Sequence, residues 1–162
     1  MVGTCEQTLI AIKPDAVSRG ITAQILHRFE RAGLTIVGMK MVHASDDLLE
    51  IHYAEHVEED FYGRLVAFMQ EEPIVVAVIE GVDAVAVVRK LVGELEPSEA
   101  APGTIRSDFA HMSREHAERN DQAIKNVIHA SGNREEAECE IELWFEDSEV
   151  YDVQRSDVDQ IR

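Results

Sequence analysis

At 162 residues and 45% hydrophobic content, the chain has the size and composition of one domain with a core, far from the disordered class. Asp and Glu total 32 against 15 Lys and Arg, a net charge of -17, so no basic face exists to track a polyanion and nucleic acid is not an expected partner. No stretch approaches the ~18 uncharged apolar residues of a membrane span, and the opening residues lack the basic region and apolar run of a secretory signal, so a cytoplasmic protein is expected.

Residues 7–12 are a short apolar run closing on Lys13, Pro14 and Asp15, which predicts a buried strand entering a turn. Residues 21–33 place Ile21, Ile25, Leu26 and Phe29 on one helical face and stop at Gly33. Residues 34–43 are β-branched and apolar and predict a second strand. Ser45, Asp46 and Asp47 signal a helix start, with the helix running through His52 and Tyr53. A further helical pattern covers residues 61–70, and residues 73–80 are the clearest strand.

Asp83 opens a helix through Val92, residues 97–107 are expected as loop, and residues 114–121 as a polar, solvated helical excursion. Residues 124–129 predict a short strand. Gly132 and Asn133 then lead into a helix with Ala137, Ile141, Trp144 and Phe145 at i, i+4, i+7 and i+8. From about 146 to 159 the chain is acidic, expected as a solvated or subunit-bracing tail. With no internal repeat or linker, residues 1–162 are expected to form a single domain. The order of elements reduces to βαββαβ, an α+β ferredoxin-like antiparallel sheet with helical insertions and helices on one face.

Only four positive residues are Lys (Lys13, Lys40, Lys90, Lys125) and eleven are Arg. An acidic, lysine-poor surface is the pattern of proteins adapted to high salt, where screening removes self-repulsion. Cys5 and Cys139 are too few for a disulfide framework and are expected as reduced thiols.

Neither G-x-x-x-x-G-K-[ST] nor G-x-G-x-x-G occurs, so any phosphate must be held by scattered cations: Lys13, Arg89, Arg106 and Arg114. Taken singly, each is more commonly a surface ion pair. His129 ends an apolar strand before small residues, with Ser131 or Asn133 capping a helix that begins with Glu135 and Glu136. Neutral imidazole is nucleophilic near pH 7. On this segment alone a hydrogen-bonded structural histidine is the commoner outcome. His52 and His56 stand at i, i+4 but lack the glutamate of H-E-x-x-H, so the polar face of a solvated helix is expected and no metal site. His111 and His116 are expected exposed, and His27 and His43 as packing or surface residues.

Asn126-Val127-Ile128-His129-Ala130-Ser131 closely resembles the active-site signature of nucleoside diphosphate kinases, N-x-x-H-G-S-D. Companion segments match in order: Thr8 to Asp15 with its lysine, His52-Tyr53, Phe61-Tyr62, Pro102-Gly103-Thr104-Ile105-Arg106-Ser107-Asp108-Phe109, and Glu138 to Phe145. The resemblance runs from about residue 5 to 150. It implies a phosphotransferase that passes the γ-phosphoryl of a nucleoside triphosphate to a nucleoside diphosphate through phosphorylated His129, by a ping-pong route. It implies that Glu140 fixes the imidazole with support from Ser131, and that Lys13, Tyr53, Arg89 and Arg106 hold the phosphates. Asn126 would contact the ribose and Phe61 would stack on the base, a contact that reads no donor pattern and tolerates every base. A Mg2+ ion carried by the nucleotide phosphates is implied, with no protein cage, and so is self-association into hexamers built from dimers.

Departures from the family pattern are Ala130 and Gly132, Leu95 where a phosphate-contacting threonine is expected, and a longer stretch between Phe109 and Asn126. The residue facing Phe61 is accordingly either Ala123 or Ile124. Outside the resemblance, a ferredoxin-like sheet also suits a regulatory binding module, which would need no His129–Glu140 pair, or a phosphocarrier charged by a partner protein.

Overall fold

Alternation along two central strands, Cys5–Ile12 (β1) and Ile74–Val82 (β3), divides the core in two. A computed structural model describes residues 5–156; the start of the chain at residues 1–4 and the end of the acidic tail, 157–162, lie outside the described residues. Ile10, Ile12, Val75, Ala77 and Ile79 face one side, and Leu9, Ala11, Val76 and Val78 face the other. Both sets are buried, which is why these strands read as continuous apolar runs. Each fully buried Leu or Ile contributes about 1.5–3 kcal/mol.

β1 pairs antiparallel with β3 from Cys5↔Val82 to Ile12↔Val75. Thr35–Val42 (β2) flanks β3, and Ile128–Ala130 (β4) flanks β1, giving the order β2-β3-β1-β4. The helices are Pro14–Ser18 (α1), Thr22–Arg31 (α2), Asp46–His52 (α3), Tyr62–Met69 (α4), Ala84–Val92 (α5), Ile105–Phe109 (α6), Arg114–Arg119 (α7) and Arg134–Trp144 (α8), with 3-10 turns at Ala54–His56 and Asp147–Glu149. This is the expected α+β, ferredoxin-like antiparallel sheet with helical insertions.

Helices cover both faces, not one. Ile25 and Phe29 of α2 and Val88 and Val92 of α5 pack on the first side. Leu49 of α3, Phe68 and Met69 of α4 and Trp144 of α8 pack on the second. Strands apolar on both faces need both covered, and the insertion between β2 and β3 supplies the second layer.

Three local expectations are corrected. The turn after Lys13 is α1, with Pro14 at its first position where the missing N–H costs nothing. The end of the expected loop is α6, because Thr104 Oγ1 accepts from Ser107 N and starts a helix. The last strand is only Ile128–Ala130, since Asn126 and Val127 are turned out of the ladder. Asp83 does open α5, at φ 51°, yet its side chain caps nothing; Glu6 Oε1 accepts from Val85 N at 3.1 Å instead. Cys5 and Cys139 are unpaired and exposed.

Candidate active site

The β1–β4 register sets His129 opposite Ala11, and residues directly opposite share a face. Ala11 belongs to the side packed by α3 and α8, so the imidazole meets those two helices. His129 Nε2 lies 2.9 Å from Glu140 Oε1, and Ser131 Oγ donates to Glu140 Oε2 at 2.6 Å. Both carboxylate oxygens are thereby engaged, and Nδ1 is the imidazole nitrogen left for other chemistry. Burial alone would raise the Glu140 carboxyl, but its bond to His129, with His52 and Ser131, outweighs burial and holds it below the usual range. Asn133, not Ser131, caps α8, accepting from Glu136 N at 2.9 Å. Glu136 Oε2 in turn accepts from Gly132 N at 2.8 Å, so a carboxylate stands beside Gly132 although that residue carries none.

Just upstream, Ile128 N donates to Asn126 O at 2.8 Å, closing a three-residue turn about Val127 at φ 62°. A β-branched residue with positive φ is strained. Lys13 N donates to Val127 O at 2.9 Å and Val127 N to Asp15 Oδ2 at 3.1 Å, holding the turn against the end of β1.

Lys13 is buried, and its Nζ donates to Asn126 Oδ1 at 2.7 Å. Asn126 Nδ2 donates to Leu95 O at 2.9 Å, so one amide links β1, the 95 segment and β4. Burial first, then the Arg106 charge, lowers Lys13 to about 7. Arg106 is also buried; Nη1 donates to Gly93 O at 3.1 Å and Nη2 to Ile128 O at 2.8 Å. Burial and the Arg89 charge bring it down to about 10. Gly93 is required where it stands: φ is 87°, and a Cβ would lie 2.6 Å from Thr104 Oγ1.

These groups line a cavity of about 1030 Å³. Lys13, Tyr53, Phe61, Arg106, Asn126 and His129 all border it; Arg89 is exposed on α5 and is not among the lining residues. The Tyr53 ring stands 6.4 Å from that of His129, and burial, then Glu140, raises its phenol. Ala123 and Ile124 both line the cavity with Phe61. Leu95 borders the cavity half exposed, and Arg114 borders it with Nε 3.2 Å from Glu96 Oε1. Tyr53 Oη, Arg106 Nε and His52 Nε2 are buried with no partner among the described residues, all on cavity-lining residues. Buried donors without partners mark a place built for a ligand.

His52 corrects the reading of a solvated histidine pair. Its side chain is 1% exposed, with its ring edge-on to His129 at 4.6 Å. The available signal was that His52 and Tyr53 follow buried Leu49 at i+3 and i+4, on its face. His56 is partly exposed beside Glu55, and His27, His43, His111 and His116 are exposed. Among the described residues, His52, His129 and Glu140 bring ligand atoms within 4.8 Å of one another. That set is nitrogen-rich and already bonded within itself and to Trp144 and Ser131, unlike the oxygen shell Mg2+ takes.

A family model described as "Nucleoside diphosphate kinase" matches residues 6–150. The nucleoside diphosphate kinase of Pyrococcus abyssi is 51% identical over 152 residues, 94% of this chain and 91% of that protein. A Borrelia burgdorferi nucleoside-diphosphate kinase solved as a transition state mimic with vanadate and ADP superposes with a TM-score of 0.91 at 40% identity, covering 94% of each chain. A halophilic enzyme of this name from Halobacterium salinarum, in complex with CDP, gives 0.88 at 36% identity over 98% of this chain and 99% of that one. The match over nearly the whole described chain, around a histidine nucleophile candidate with a carboxylate partner, makes this chain a member of the nucleoside diphosphate kinase family.

Proposed function

We propose that His129 is the nucleophile through which this phosphotransferase moves the γ-phosphoryl of a nucleoside triphosphate to a nucleoside diphosphate. The observation that carries the reading is the bonding of Nε2 to Glu140, which leaves Nδ1 for chemistry on a residue that lines the same cavity as Tyr53, Arg106 and Lys13. In the first half-reaction the Nδ1 lone pair forms an N–P bond as the β–γ bridging P–O bond breaks, and a nucleoside diphosphate leaves. In the second, a terminal oxygen of another diphosphate attacks that phosphorus, the N–P bond breaks and the imidazole is regenerated. Glu140 stabilises the positive charge on the ring, and Ser131 fixes Glu140.

Lys13, Tyr53 and Arg106 hold the phosphates from the cavity lining, assisted by Arg89, which lies outside that lining on α5 but near enough to Arg106 for its charge to lower the Arg106 pKa. Asn126 holds the ribose and Phe61 the base, and positioning and charge neutralisation supply most of the catalysis. Stacking on Phe61 gives broad base tolerance. A Mg2+ ion bound to the nucleotide would help to offset the phosphate charge beside Lys13 and Arg106, with no carboxylate cage of this chain assigned to hold it.

The chain acts as a single domain, its acidic tail bracing or solvating the surface. Self-association into hexamers built from dimers is supported by the edge position of β2, where Met39 and Met41 are 56% and 61% exposed. No described helix is long and apolar enough to cross a membrane. The cytoplasm is the proposed compartment, in keeping with unpaired thiols at Cys5 and Cys139. Adaptation to high salt is proposed from the net charge of -17.

The test is a two-step transfer. Incubation with γ-labelled ATP should give an acid-labile, base-stable protein phosphate, and a chase with a different nucleoside diphosphate should move the label into the new triphosphate. His129→Ala should form no labelled protein; label retained in that variant would exclude His129.

A further inference from the structure

His52 lies against the candidate nucleophile without a part in the transfer chemistry. Trp144 Nε1 is 3.2 Å from its Nδ1. An indole N–H only donates, so Nδ1 presents its lone pair and the neutral ring carries its proton on Nε2. The same Nδ1 is 3.6 Å from Glu140 Oε1, the oxygen that engages His129 Nε2 at 2.9 Å. A proton on His52 Nδ1 would therefore make a second donor for that one oxygen, and Glu140 would be divided between two imidazoles.

We infer that Trp144 and His52 are positioning residues that reserve Glu140 for His129, the indole holding His52 in the tautomer that cannot donate to the carboxylate. The inference rests on His129 being the nucleophile. The titratable groups facing His52 are His129 from β4, Glu140 from α8, Lys13 beyond β1 and the adjacent Tyr53. Burial, then the charges of His129 and Lys13 against that of Glu140, lowers His52 to about 3. His52 is consequently neutral across the working pH range, as the arrangement requires.

Trp144→Phe keeps an aromatic ring and deletes the donor. Its kcat/KM should fall about tenfold, by the same factor at pH 6 and pH 8.5, because His52 stays neutral yet becomes free to carry its proton on Nδ1 and draw Glu140 away. Adding His52→Leu, which has no donor, should recover most of that loss. No loss in Trp144→Phe, or a loss that His52→Leu leaves unrelieved, would overturn the inference. Long-range proton–nitrogen correlation spectra of the histidine-labelled wild-type protein decide it even if the variants fail to fold: His52 must show a bare Nδ1 and a protonated Nε2, and the opposite tautomer overturns it. Labelled phosphoprotein in His129→Ala would instead sink the nucleophile assignment while leaving the tautomer spectrum unchanged.

Discussion

The Lys13 ammonium donates to the Asn126 side-chain carbonyl across 2.7 Å inside the protein, joining the end of β1 to the residue three before His129. Among the described residues no carboxylate bonds that ammonium, and burial, then the Arg106 charge, lowers it to about 7. An arriving phosphate supplies the missing negative charge and restores the cation. Nucleotide binding at pH 8 should therefore take up a proton. Calorimetry in buffers of different ionisation enthalpy measures this uptake directly, and Lys13→Met should remove it. In the free enzyme kcat/KM should fall as pH rises through about 7, a limb absent from the Lys13→Met variant.

Glu140→Gln keeps the shape of the carboxylate's position but removes the charge that stabilises a cationic His129. Loss of such a partner should lower kcat by about 10²–10⁴-fold. Ser131→Ala leaves the carboxylate in place with one bond to a charged group fewer, about 1.5 kcal/mol, roughly tenfold. Single-turnover phosphorylation rates separate the two, and equal losses would contradict the division of labour between them.

Leu95 borders the cavity at 51% exposure, with its backbone carbonyl bonded to Asn126. Leu95→Thr adds a hydroxyl on a segment already fixed in place. A new hydrogen bond to a charged phosphate should lower KM by about 1.5 kcal/mol, roughly tenfold. Steady-state kinetics with ADP as acceptor would show it; an unchanged KM would mean the side chain never meets phosphate.

A net charge of -17 on this chain repels itself most when screening is weak. The Debye length shrinks from about 10 Å at 0.1 M salt to about 3 Å at 1 M. Thermal unfolding in KCl from 0.1 to 2 M should show Tm rising by about 10 °C, several kcal/mol for a chain of this size. A flat Tm would remove the argument for adaptation to high salt.

The sheet was legible because β1 and β3 are apolar on both faces, a pattern that leaves few alternatives. That same pattern implied helices on both sides, but a count of elements in chain order does not say where an insertion packs. His129 and Glu140 stood out through their motifs; their 2.9 Å contact depends on the β1–β4 register and on the placement of α8, neither of which is local information. The i, i+4 spacing of His52 and His56 reads as a solvated helix face, whereas the spacing of His52 from buried Leu49 points inward. The shortness of β4 was hidden for a related reason. Nothing in the residues around Val127 announces a left-handed backbone, which exists only because Lys13 and Asp15 grip it from more than a hundred positions away.

That grip has a bearing on how the molecule matures. A turn costing about 1–3 kcal/mol does not form by itself; it waits for the amino-terminal strand and its carboxylate to arrive. Closing so long a loop is slow, and the reward comes only on docking. The imidazole should thus acquire its working pose among the final events of folding, so that a newly made chain can have most of its secondary structure before it can carry phosphate.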